Sequence, residues 1–187
     1  MKKFLTTLLA SVVTLAPTGV MAGNNNIEEH QQLWDTLSNV GVTTLVNDAR
    51  YCDKDVMGLY YPYKRTLVVC QEDARSLNGR MVGWTDEDLD TLRHEAHHVV
   101  QDCLDRYLGD GYLSVLFDGP GELRQFYTGI LSQRQIDWIV SNYSKNGGDS
   151  KVIRLELEAF AVAQGVGPVS IANALTNNCS VRPGFSK

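Results

Sequence analysis

The sequence predicts an α+β fold: a small N-terminal antiparallel sheet packed on a central helix, then a mostly helical C-terminal half. Three observations carry that prediction. Runs rich in β-branched and aromatic residues, "VTTLVND" and "GLYYPYKRTLVVCQ", lie before residue 72. A long helical pattern opens at Thr85, with acids where the helix dipole favours them. Beyond residue 131 the apolar spacing is helical in each successive segment.

The chain opens on Lys2 and Lys3, an apolar run "FLTTLLASVVTLAP", and a small-residue exit "GVMA". That three-part pattern predicts a secretory signal peptide over 1–22 and a single domain over 23–187. The rival reading, a membrane anchor, is disfavoured because the run is short and rich in Thr and Ser. Removing 1–22 takes the formal charge from −5 to −7, since that segment carries two lysines and no acid. An acidic exported domain, periplasmic or secreted, is a poor nucleic-acid binder. No membrane span is expected after signal removal, and the oligomeric state is left open.

The elements follow in order. "IEEHQQLWDTLSNVG" reads as a helix, with Ile27, Leu33, Trp34 and Leu37 apolar and Gly41 as its stop. "VTTLVND" is a strand. "GLYYPYKRTLVVCQ" is a hairpin joined at "PYKR", and "SLNGR" is a turn. The Thr85 helix is expected to run to about Leu108 and to end at Gly109. Residues 110–131, with "DGPGE", read as loop with one strand at most. Ser132 and Gln135 form a capping-box pattern that opens a helix through about Tyr143. "KVIRLELEAFAVAQ" is a helix stopped by "GVGP", and "VSIANAL" is a short helix.

Four cysteines in an oxidising compartment predict two disulfides. Three connectivities are possible. Cys52–Cys70, within the strands, and Cys103–Cys179, tying the C-terminus to the central helix, are favoured. A cysteine zinc site is the rival, but no C-x-x-C pair exists.

The chemistry concentrates at "LRHEAHHVVQ". His94, Glu95 and His98 spell H-E-x-x-H. Imidazoles four residues apart on a helix can converge on one tetrahedral zinc ion. Glu95, beside the first ligand, is placed to act as general base on a zinc-activated water. Leu89, Leu92, Ala96, Val99, Val100, Cys103 and Tyr107 form one apolar stripe, and both histidines fall nearly opposite its centre. They face either solvent or a cleft covered by another part of the chain. A His94/His97 pair is geometrically open, but the His94/His98 pair leaves Glu95 in the base position. His97 then flanks the site, and His30 is expected on the surface.

A catalytic zinc needs a third protein ligand and an open fourth position. No histidine follows His98, which points to a carboxylate. The metzincin continuation is absent, because positions 101 and 104 are Gln and Leu. Glu156 and Glu158 lie in an apolar, small-residue helix, where a carboxylate is expensive unless a cation pairs with it. They point about 160° apart, at roughly 100° per residue, so only one faces the histidines. Glu156 shares its side with Val152, Ile153, Ala159, Phe160 and Ala163. Glu158 has Arg154 one turn before it, an ordinary ion-pair partner.

With "HEAHHVVQ" followed by "ELEAFAVA", the chain resembles the gluzincin metallopeptidases over roughly 65–165. It looks most like compact members whose second motif reads E-x-E-A or E-x-x-A. The resemblance implies a zincin-like fold with Zn2+ held by His94, His98 and Glu156, Glu95 as general base, and Ala159 in the second motif. It also implies that "RTLVVC" is the edge strand along which an extended substrate lies. One position departs from the pattern: Phe160 stands where many relatives carry an acid or amide that supports a histidine. The expected function is that of an exported zinc metallopeptidase cleaving protein or peptide substrates. The alternative is a non-catalytic exported zinc-binding domain that binds a protein partner or sequesters metal. Tyr112, Tyr127 and Tyr143 are unranked candidates for a donor to the oxyanion.

Overall fold

The computed structural model describes residues 10–11, 26–53, 55–71, 81, 83–104, 107–117 and 119–179. The expected 1–22 signal segment, apart from 10–11, and the "SLNGR" turn lie outside them.

Helix α1 spans Ile27–Asn39 and is capped by Asn26, whose side chain accepts from the Glu28 amide. Gly41, at φ +94°, turns the chain into β2 (Thr43–Val46). Strands β3 (Gly58–Tyr61) and β4 (Thr66–Val69) form the expected hairpin, joined by a 3₁₀ turn at Pro62–Lys64. A two-residue β1, Ala10–Ser11, pairs antiparallel with β3. The sheet order is β1-β3-β4-β2.

The sheet is mixed, which corrects the all-antiparallel expectation: β2 runs parallel to β4. The tight hairpin commits one side of β4 to β3. Residues 47–57 carry the chain back past the sheet, so β2 takes the other side. The end of this pairing is pinned by Asn47, whose amide donates to Val69 O and whose side chain bonds Gln71. The Cys52–Cys70 disulfide closes the same connection onto the end of β4. Strand β4, which carries "RTLVVC", is therefore interior, and β3 lies on the side where β1 adds. This corrects the edge-strand expectation for β4: the sheet's edges are β1 and β2.

Helix α2 spans Asp86–Cys103. Thr85 accepts from the Asp88 amide while the Asp88 carboxylate accepts from the Thr85 amide, a complete capping box. The helix ends at Cys103 rather than near Leu108. The Asp102 carboxylate accepts from Tyr60 OH at 2.7 Å and from Gly109 N at 2.7 Å, which folds the following residues back. Gly109 supplies the positive φ, +90°, that the reversal requires. Cys103 pairs with Cys179, as expected. A link closing so long a loop contributes about 2–4 kcal/mol.

Helix α3 (Pro120–Ile130) replaces the expected loop. "DGPGE" reads as a turn by composition, yet Gly119 is an N-cap, Pro120 sits in the first turn where its missing N–H costs nothing, and Glu122 meets the dipole. Helices α4 (Gln133–Lys145), α5 (Ser150–Gly165) and α6 (Pro168–Asn178) follow, and α4 carries the expected Ser132/Gln135 box. Strands β3 and β4 pack on one side of α2, with α5 and α6 also against it and α1 packed on α6. Among the described residues no helix is long and apolar enough to cross a membrane.

His30 is fully buried, which corrects its placement on the surface. Its Nδ1 lies 2.7 Å from Asn26 O, an obligatory acceptor, so Nδ1 carries the proton. Its Nε2 then accepts from Arg93 Nη1 at 2.6 Å. Arg93, also buried, donates through Nε to Ala163 O and pairs with Asp90. One guanidinium thus ties α1, α2 and α5 together. Burial holds the His30 pKa down to about 4, against the smaller raising effect of the Asn26 carbonyl. The unfolded chain therefore binds a proton on His30 that the folded chain refuses. The resulting stability is full above about pH 6.5 and is lost as pH falls through about 4, a change of roughly 3 kcal/mol. Urea unfolding at pH 7, 5 and 4 is expected to show this increment in wild type and not in His30→Gln. Equal pH dependence in both would contradict it.

Candidate metal centre

The α2 face opposite its apolar stripe is covered by α5, so both H-E-x-x-H histidines are buried rather than solvated: His94 is 4 % exposed and His98 0 %. Ala159 and Ala163 keep the α5 surface low where the helices meet. Glu156, on the same face of α5, is carried into this contact and is fully buried.

His94 Nε2 lies 3.1 Å from His98 Nε2. The Glu156 carboxylate approaches the same two atoms, Oε2 at 3.3 Å from His94 and Oε1 at 3.5 Å from His98. One ligand atom from each residue falls within 4.8 Å of the others. Among the described residues this group has three members, and Glu95 is not one of them.

The donor set fits a metal ion. Two imidazole nitrogens and one carboxylate oxygen suit a borderline divalent cation such as zinc. Neither Glu156 oxygen has a hydrogen bond of good geometry, although both are buried. A carboxylate in that position is strongly destabilising unless a positive charge meets it, either a metal ion or the imidazolium of His98.

The electrostatics of the three residues are coupled. Burial lowers the His94 pKa. Burial also works to lower that of His98, but the facing Glu156 carboxylate outweighs it and raises His98 to about 9. Burial works to raise Glu156, and the two imidazoles, His98 foremost, pull it well below the usual carboxylate range instead.

Glu158 also meets α2, which corrects the expectation that only one of the two glutamates faces it, and its partners differ from the expected Arg154. Its Oε1 accepts from His97 Nε2 at 2.8 Å and from Gln101 Nε2 at 3.1 Å. Both of its oxygens accept from the Leu116 amide, at 3.0 and 2.9 Å, and Oε2 meets the Phe117 amide at 3.4 Å. Burial works to raise its pKa, but His97 and these donors lower it. His97 is thereby engaged with Glu158 and lies outside the three-residue group, so the His94/His97 pairing is not the one formed.

Glu95 is fully buried between α2 and β3. Strand β3 comes this close because residue 58 is glycine. A Cβ there would sit 2.5 Å from Thr91 Cγ2, 3.0 Å from Glu95 Cγ and 3.2 Å from Glu95 Oε1. Gly58→Ala is expected to push β3 off α2, destabilise the fold by roughly 1–3 kcal/mol and displace Glu95. Thermal unfolding checks the first effect. An unchanged melting temperature would show that the strand yields freely.

Phe160, in the position where the resemblance called for an acid or amide, packs its ring against His94 with centroids 4.5 Å apart. The polar support falls on the other histidine: His98 Nδ1 lies 2.7 Å from Gln101 Oε1. In the sequence Gln101 stands only as a departure from the metzincin pattern; its spacing, three residues after His98, permits the contact without singling it out. The tyrosines fall elsewhere. Tyr143 is buried in the α4–α5 core, Tyr127 packs against the same cluster, and Tyr112 is exposed. No family model, no curated protein and no solved structure matches the chain, so its own residues carry the functional reading.

Proposed function

We propose that this chain is an exported, zincin-like zinc metallopeptidase related in design to the gluzincins. The observation that supports this best is the convergence of His94, His98 and Glu156, with the remaining motif carboxylate, Glu95, left outside the ligand group. A three-residue protein ligand set leaves a tetrahedral ion one position for substrate chemistry. Bound there, zinc supplies Lewis-acid polarisation of a peptide carbonyl and of water.

The chain's own residues do the rest. With an ion bound, His98 would give up the proton that Glu156 otherwise holds on it, both histidines would present neutral nitrogens and Glu156 one negative charge, so the ion would keep net positive charge. Glu95 takes a proton from water and returns it to the departing amine, and its buried setting keeps bulk water from competing. Strand β3, next to Glu95, carries β1 on its outer side, and removal of residues 1–22 as a signal would open that side to an extended peptide. The signal-like residues 1–22 and the two disulfides support export.

The depth of the group favours a second reading, a non-catalytic structural metal site that rigidifies the α2–α5 contact. Incubation of the purified protein with an unstructured protein separates the two. The peptidase reading expects cleavage that a chelator abolishes and added zinc restores. Cleavage indifferent to chelator, or a zinc-loaded protein that cleaves nothing, would contradict it.

A further inference from the structure

We infer that Gln101 is a positioning residue for the metal centre: it fixes which His98 nitrogen is offered to the ion, and it is itself locked by Glu158 and the Leu155 carbonyl. The inference rests on the metal reading above and adds a residue that the H-E-x-x-H pattern does not contain.

The orientation of the Gln101 amide follows from its neighbours. One end lies 3.0 Å from Leu155 O and 3.1 Å from Glu158 Oε1. A backbone carbonyl can only accept, and a carboxylate held by three other donors acts as an acceptor. That end of the amide must be the NH₂ group. The other end, Oε1, therefore faces His98 Nδ1 at 2.7 Å, and an amide oxygen can only accept. His98 Nδ1 must then carry a proton, and the lone pair available to a metal is on Nε2. That is the nitrogen facing His94 Nε2 and Glu156. A metal-bound histidine whose other nitrogen donates to a fixed acceptor is held in both tautomer and ring orientation.

The lock extends outward. Glu158 holds Gln101 and at the same time accepts from His97 and from the amides of Leu116 and Phe117. The Gln101 carbonyl accepts from Ser114 N at 3.0 Å. The segment after α2 is thus tied to the residue that orients His98. All three side chains, His98, Gln101 and Glu158, are fully buried, so water does not substitute for any partner at no loss.

The test compares wild type, Gln101→Leu and the exchange Gln101→Glu/Glu158→Gln. Gln101→Leu removes the acceptor; the exchange keeps an acceptor for His98 Nδ1 and lets the amide at position 158 donate to it. Zinc affinity, by competition with a chromophoric chelator, is expected to fall roughly 10- to 100-fold in Gln101→Leu and to recover in part in the exchange variant. In ¹⁵N-histidine-labelled protein, the His98 Nδ1–H proton is expected to be downfield and slow to exchange in wild type. In Gln101→Leu it is expected to move upfield and exchange faster. Unfolding of the metal-free variants separates orientation from folding. Affinity losses that simply follow the melting temperature in both variants would overturn the inference, as would an unmoved Nδ1–H resonance in Gln101→Leu. A wild-type protein that binds no zinc but shows the protected Nδ1–H would overturn the metal reading alone and leave the Gln101–His98 bond standing.

Discussion

Glu95→Gln is expected to keep its zinc and lose hydrolysis by roughly a hundred- to ten-thousand-fold, the usual contribution of a positioned general base. The amide is nearly isosteric with the carboxylate, so the packing between α2 and β3 is retained. It cannot take a proton. Because Glu95 is outside the three-residue ligand group, metal content is expected to match wild type. Steady-state cleavage of an unstructured protein, with zinc quantified on the same samples, checks both halves. Full activity in Glu95→Gln would remove the proposed mechanism. Loss of zinc together with activity would make Glu95 a ligand rather than a base.

The second large effect separates the two glutamates of α5. Glu156→Gln is expected to weaken zinc binding by more than about 100-fold, beyond the roughly 10- to 100-fold that supporting partners of a ligand contribute. Glu158→Gln is expected to remain within that smaller range, because Glu158 acts through His97, Gln101 and the Leu116 amide rather than on the ion. Competition with a chromophoric chelator measures both. A large loss confined to Glu158→Gln would place the third ligand on the wrong face of α5.

The parts of this site legible in the sequence are those set by helical spacing. His94 and His98 share a face because four residues make about one turn. Glu156 could be singled out because a carboxylate among Ala159, Phe160 and Ala163 has few stable alternatives to a cation. Interactions between residues distant in sequence were harder to read. His30 looked like surface because its partner, Arg93, is in another helix. Glu158 was matched to Arg154, one turn away, while its true partners come from α2 and from the backbone at 116–117. Gln101 carries no charge and belongs to no motif, so only the folded arrangement reveals its acceptor geometry. In the fold, "DGPGE" was misread because Gly and Pro mark both turns and helix starts. The parallel β2–β4 pairing was missed because strand order depends on the long connection over 47–57, not on the strands' own residues.

The most direct test of the central claim is zinc-edge X-ray absorption on the loaded protein, with and without a small hydroxamate. One ion per chain, a shell with two imidazoles and a carboxylate, and a spectrum that changes when the hydroxamate is added are the predicted result. No bound zinc, or a fully protein-ligated ion whose spectrum the hydroxamate leaves unmoved, would contradict an open metal centre at His94, His98 and Glu156.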